Sequence, residues 1–240
     1  MTTFAWPHRL LRPKTWKVRL VNQTISGGTL LSGDEQTGLT DAGGRWLAEL
    51  KSIVVRDRDQ IQCLRAWAGH LRGGGVKLIV PCPDLGQAPR PMLGDKLGLP
   101  DLAAPAADGD WFNQPVGFGG AMMVATVAAD AVLGASSLQI TLTRGSRLVG
   151  GQHFSIQHAN ADWRMYLINR VTGQAGNVYT VEIGPFLNEG VAEGDPVEFD
   201  VPRFVAKARP STLDDLWPDL EMGRRATVNA AFLETPEWTS

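Results

Sequence analysis

Residues 135–199 read ASSLQITLTRGSRLVGGQHFSIQHANADWRMYLINRVTGQAGNVYTVEIGPFLNEGVAEGDPVEF. Five short runs in this stretch have strand character: 137–142, 153–157, 163–171, 178–183 and 197–199. The links between them are rich in turn residues, with Gly150-Gly151, Gly173 to Gly176 and Gly190 to Gly194. Short strands joined by such turns predict a small β-barrel, placed at about residues 129–200.

The barrel has strand-like sequence on both sides. Before it, Trp16 to Val21 alternates apolar and polar residues, as a half-buried strand does. A short strand is expected at 29–31, a longer one at 46–55, and others at 76–80 and 122–127. Between 55 and 76 the period changes. Ile61, Leu64, Trp67, Ala68 and Leu71 recur at helical spacing. Asp57 followed by Gln60 resembles a capping box, and Gly73-Gly74-Gly75 stops the helix, which is expected at about 57–72. After the barrel, 203–208 and 227–233 have strand character and need a sheet to join, while 214–221 reads as a turn or short helix around Trp217. The expected fold is therefore mostly β with a minor helical part: a β domain with one packed helix over about 15–128, a small β-barrel inserted at about 129–200, and a segment at 201–240 returning to the first domain. Residues 1–14 read as an extended arm. Residues 81–120, dense in Pro, Gly and Asp, read as a long loop of the kind that is functional or disordered.

Composition narrows the function. The 240 residues carry a net charge of −2, which argues against a general nucleic-acid binder. No apolar run approaches the roughly 18–20 residues that span a bilayer, so no membrane insertion is expected. Residues 1–14 have no apolar core of a secretory signal. Cys63 and Cys82 read as two reduced thiols of a cytosolic product, with a disulfide between them as the other option.

Signatures of catalysis are weak. The sequence has no G-x-S-x-G, H-E-x-x-H or Walker pattern, and Gly117-Phe118-Gly119-Gly120 reads as a turn rather than a phosphate loop. His153 and His158 are five apart, on opposite faces of a continuous strand, and read as surface or turn residues rather than metal ligands. His70 suits the negative end of the helix. The acidic pairs Asp108/Asp110, Asp214/Asp215 and Asp219/Glu221 read as solvated loop charges. No catalytic, cofactor or metal site is expected. The eight tryptophans are more suggestive. Trp46, Trp67 and Trp163 fall in regular elements and read as core. Trp6, Trp111 and Phe112 fall in the arm and the long loop, and are the candidate subunit-interface residues. Aromatics in such segments anchor interfaces, and these three are expected to be exposed in an isolated subunit. The alternative is that they pack on their own domain.

Several stretches resemble a known family. Leu31-Ser32-Gly33, Gly43-Gly44-Arg45-Trp46, Leu71-Arg72-Gly73-Gly74 and Lys77-Leu78-Ile79-Val80-Pro81 are similar to the N-terminal part of tail proteins of long-tailed, siphovirus-like bacteriophages. Ala135-Ser136-Ser137-Leu138, Gly151 to Ile156, Tyr166-Leu167-Ile168 and Gly194 to Phe199 are similar to inserts in the same proteins. The resemblance implies a ring-forming β domain and a non-enzymatic structural protein of the virion tail tip, or baseplate, like a distal tail protein. Its implied partners are copies of itself in a hexameric ring, the tail tube and the hub, with assembly in the host cytoplasm. Two other readings stand beside it. One is a carbohydrate- or receptor-binding module that stacks sugars on loop aromatics. The other is a tail-associated hydrolase using Asp108 or Asp110.

Overall fold

A computed structural model of the chain describes residues 4–21, 24–29, 32, 35–39, 43–83, 87–90, 92–93, 96–97, 123–217 and 225–235. In chain order the elements begin with β1 (Phe4–Ala5), β2 (Pro13–Val21), β3 (Thr24–Thr29), β4 (Glu35–Leu39), β5 (Arg45–Val55), α1 (Arg58–His70) and β6 (Lys77–Pro81). They continue with β7 (Met92–Leu93), β8 (Lys96–Leu97), β9 (Val124–Val127), β10 (Ser137–Arg144), β11 (His153–His158), β12 (Asp162–Ala175) and β13 (Val178–Gly184). The last are β14 (Pro196–Glu198), β15 (Arg203–Ala208) and β16 (Ala226–Glu234). The fold is mostly β and, among the described residues, has one α-helix and a small closed barrel. Two compact units divide the chain: Met1–Cys82, Asn160–Trp163 and Arg203–Ser240 make the first, Pro83–Ala159 and Arg164–Pro202 the second.

The first unit is built on a six-stranded sheet in the order β1-β6-β15-β16-β5-β2. β2 and β5 are antiparallel, in register from Pro13↔Ile53 to Val21↔Arg45. Half-buried Trp16, Val18 and Leu20 alternate along β2 with exposed Lys17 and Arg19, because successive side chains of a strand face opposite sides. β5 supplies more of the core: Trp46, Leu47, Ala48, Leu50, Ile53 and Val55 are all buried. The β5–β16 ladder slips between Val228 and Ala230. There Ser52 takes a φ of 56°, and its N–H donates to Asn229 Oδ1 at 2.9 Å, so the bulge satisfies a donor that the ladder leaves unpaired.

The helix forms close to where its periodicity places it. Gln60 Oε1 accepts the backbone N–H of Arg56 at 2.9 Å and of Asp57 at 3.4 Å, tying the entering chain to the first turn. Leu64 and Ala68 are buried on one face, and Leu71 follows in the same core. Gly73 and Gly74, at φ 67° and 87°, then turn the chain into β6.

The expectation of a free arm is corrected. Phe4 and Ala5 pair in parallel with Leu78 and Ile79, and the N–H of Trp6 donates to Ile79 O at 2.8 Å. Pro7 O accepts the N–H groups of Leu10 and Leu11, and Gln60 Nε2 donates to Leu10 O at 3.2 Å. Trp6 is 1 % exposed, its ring 5.6 Å from Trp67 and 5.1 Å from Phe232. An indole buries more area in that pocket than any smaller side chain, so folding back wins over waiting for a partner.

The second unit is a closed barrel in the order β10-β13-β12-β11-β14-β9. Leu138, Ile140 and Leu142 of β10, Phe154 and Ile156 of β11, Tyr166 and Ile168 of β12, and Tyr179, Val181 and Ile183 of β13 fill it. Its start lies earlier than the expected 129. β9 pairs with both β10 and β14 and so closes the barrel, whereas its sequence reads as part of the first domain. β6 and β15 flank the inserted chain and are themselves paired, Pro81 opposite Arg203. Cys63 and Cys82 form no disulfide with each other.

Candidate functional site

Of the three expected interface residues, Trp6 belongs to the core of the first unit and is unavailable to a partner. Trp111 and Phe112 lie outside the described residues, as do Asp108 and Asp110. Asp214 and Asp215 sit exposed on a short 3-10 turn, where water solvates them, and Asp219 and Glu221 lie outside the described residues.

A different assembly feature comes from the hairpin between β2 and β5. Between β2 and β5 in the chain lie β3 and β4, which pair with each other from Thr24↔Leu39 to Thr29↔Glu35. Among the described residues no other strand pairs with this ribbon. Its sequence, Thr24 to Thr29 and Glu35 to Leu39, holds Gly27, Gly28 and Gly38 and only two large apolar residues, Ile25 and Leu39. A two-stranded ribbon with so little apolar surface is marginal in water, and a third strand or a covering surface stabilises it. Composition hid this feature. Gly27-Gly28 reads as a turn, but the chain passes through it as strand, with Gly28 at φ 93° next to a slip in the ladder.

The barrel unit holds the main buried polar group of the described chain. Phe154, Ile156 and His158 alternate inward along β11, and Arg164, Tyr166 and Ile168 along β12. His158 Nε2 and Tyr166 Oη lie 2.7 Å apart, one donating to the other. Arg164 lies 6.0 Å from the Tyr166 ring centre and is 2 % exposed. Burial holds the His158 imidazole well below its usual range, at about 4, with the Arg164 charge acting in the same direction and the carboxylates of Glu189 and Asp195 against it. The ring is therefore neutral at neutral pH. The sequence places His158 at the surface or in a turn, and its burial at the end of β11 corrects that. The strand runs one residue further than its sequence suggests, and His158 falls on the inward face.

This arrangement pins two strands together. Ser155 lies three residues from His158 on the same strand and so faces the opposite side. Among the described residues no group of three His, Cys, Asp or Glu side chains is placed to hold a metal ion. No helix among them is long and apolar enough to cross a membrane. No protein-family model matches this sequence, and no curated protein matches it.

Proposed function

We propose that the chain is a structural subunit of a bacteriophage tail tip, of the distal tail kind, that closes with copies of itself into a ring between tail tube and hub. The observation that carries the reading is the β3–β4 ribbon, which lies between β2 and β5 in the chain and pairs only with itself among the described residues. Such a ribbon gains its missing partner when it lies on a neighbouring subunit. The inserted barrel supports the same reading. The chain leaves the sheet and returns to it through the paired strands β6 and β15, so a module with its own contacts can be carried there without interrupting the sheet. In this reading the protein has a scaffolding role and no catalysis, and the hexameric symmetry follows from the resemblance.

The test is the mass and shape of the purified full chain, by light scattering and negative-stain imaging, beside a variant in which residues 23–40 are replaced by a short Asn-Gly turn. Rings of the full chain and a monomeric variant with an unchanged melting temperature are expected. A full chain that stays monomeric at high concentration and binds glycans would overturn the reading in favour of a carbohydrate-binding module.

A further inference from the structure

One end of the barrel is unusual in both polarity and charge. The loops after β9 and after β13, residues 128–136 and 185–195, meet there. Ala131 and Val191 exchange both backbone hydrogen bonds at 2.9 Å. Gly134 N–H donates to Leu187 O at 2.8 Å, Leu187 N–H to Ala135 O at 3.0 Å, and Glu193 N–H to Asp130 Oδ1 at 2.8 Å. The two loops are thus zipped into one rigid rim. From it projects a tight turn closed by Ala135 N–H on Val132 O at 3.1 Å, and the turn presents Val132 and Leu133 at 76 % and 57 % exposure. Two large apolar side chains held out on a fixed turn cost free energy in water and lose little entropy when docked. All charged residues of these loops, Asp130, Glu189, Glu193 and Asp195, are acidic.

The first unit carries the opposite charge at one edge. Residues 9–19 contain Arg9, Arg12, Lys14, Lys17 and Arg19 and no acid. Among the described residues β2 is the outermost strand on that side. Lys17 and Arg19 lie on one face of β2 with Lys51 across the ladder, where Glu49 is shared by Lys51 at 4.0 Å and Arg19 at 3.3 Å; Lys14, three residues from Lys17, lies on the other face, so both sides of the edge carry positive charge. Leu10, 40 % exposed, lies between Arg9 and Arg12 and offers apolar surface within the basic stretch.

We infer that the acidic, apolar-tipped end of the barrel docks on the basic edge strand of a second copy of this chain. This rests on the ring reading and adds the two faces that meet. A contact between unlike faces is head-to-tail, which is the kind that closes rings. Its charge component weakens with salt.

Charge exchange tests the inference. The mouth variant is Val132→Lys with Glu193→Lys; only the backbone of Glu193 bonds to Asp130, so that hydrogen bond is kept. The edge variant is Lys14→Glu with Lys17→Glu. Each variant alone should keep the wild-type melting temperature and lose at least about tenfold in self-association, a difference of about 1.4 kcal/mol. An equimolar mixture should assemble again, because each variant then supplies the face that the other needs. Rings from either variant alone would overturn the inference while leaving the ring reading intact. Failure of the mixture as well would overturn it in favour of a different protein as the occupant of these faces. A monomeric wild-type chain would remove both readings together.

Discussion

The ring centres of Trp6 and Phe232 lie 5.1 Å apart at an angle of 56°, so a residue near the start of the sequence packs on β16, a middle strand of the sheet. Trp67 closes the other side of the indole at 5.6 Å. The first turn of chain is thereby part of the core that joins helix and sheet. Trp6→Ala should cost about 3–5 kcal/mol, as for a buried aromatic truncated to alanine. Urea unfolding of the full chain measures it. A loss below about 1 kcal/mol would show that the segment is held by its backbone pairing with β6 alone.

Leu64 is fully buried on the inward face of α1. Leu64→Ala should destabilise by about 2–5 kcal/mol. Arg65→Ala, at the exposed neighbouring position, should change stability by less than about 0.5 kcal/mol. Similar losses from both would mean that the buried face is misassigned.

Acid should loosen the barrel through His158. The ordinary imidazole takes a proton near 6.5, and the buried one only near 4. Between these values the unfolded chain binds more protons than the folded one, so stability falls as pH drops from about 6.5 to about 4 and the loss levels off below. The full effect is of the order of 3 kcal/mol, from the size of the shift. His158→Gln keeps a partner for Tyr166 but cannot titrate there. Its unfolding midpoint should be less sensitive to pH across that window than the wild type's. Identical slopes would falsify the assignment.

Two adjacent glycines separate backbone strain from collision. Gly73 has a φ of 67° and open space where a Cβ would stand. Gly74 has a φ of 87°, and its Cβ would lie 2.8 Å from Ala208 O at the end of β15. Gly73→Ala should cost about 1 kcal/mol for the left-handed conformation alone. Gly74→Ala should cost clearly more, because the end of β15 must shift. Equal melting temperatures for the two variants would contradict the close approach.

What could be read from the sequence was local, and what could not was pairing between distant segments. Leu138, Ile140 and Leu142 alternate, and Gly134 and Gly145 flank their strand, so β10 and the barrel around it were legible. The helix was legible from Leu64, Ala68 and Leu71. Val124 to Val127 has the same alternation, but nothing in four residues states whether they pair with the sheet before them or the barrel after them. Trp6 lies in a segment without periodicity, and its partner Phe232 is almost the whole chain away. For His158, the odd spacing from His153 correctly separates their faces but does not say which face is inward. The ribbon escaped because its glycines imitate a turn.

The strand order also sets a timetable. β5 and β6 are close in sequence yet never pair; β15 and β16 stand between them, and both come after the barrel. A chain growing from its N-terminus therefore completes all six staves of the barrel while the first sheet still lacks its two middle strands. The ribosome delivers a closed module first. Until residues 203–235 emerge, the inner edges of β5 and β6 wait with their hydrogen-bonding groups unpaired, open to any other strand they meet.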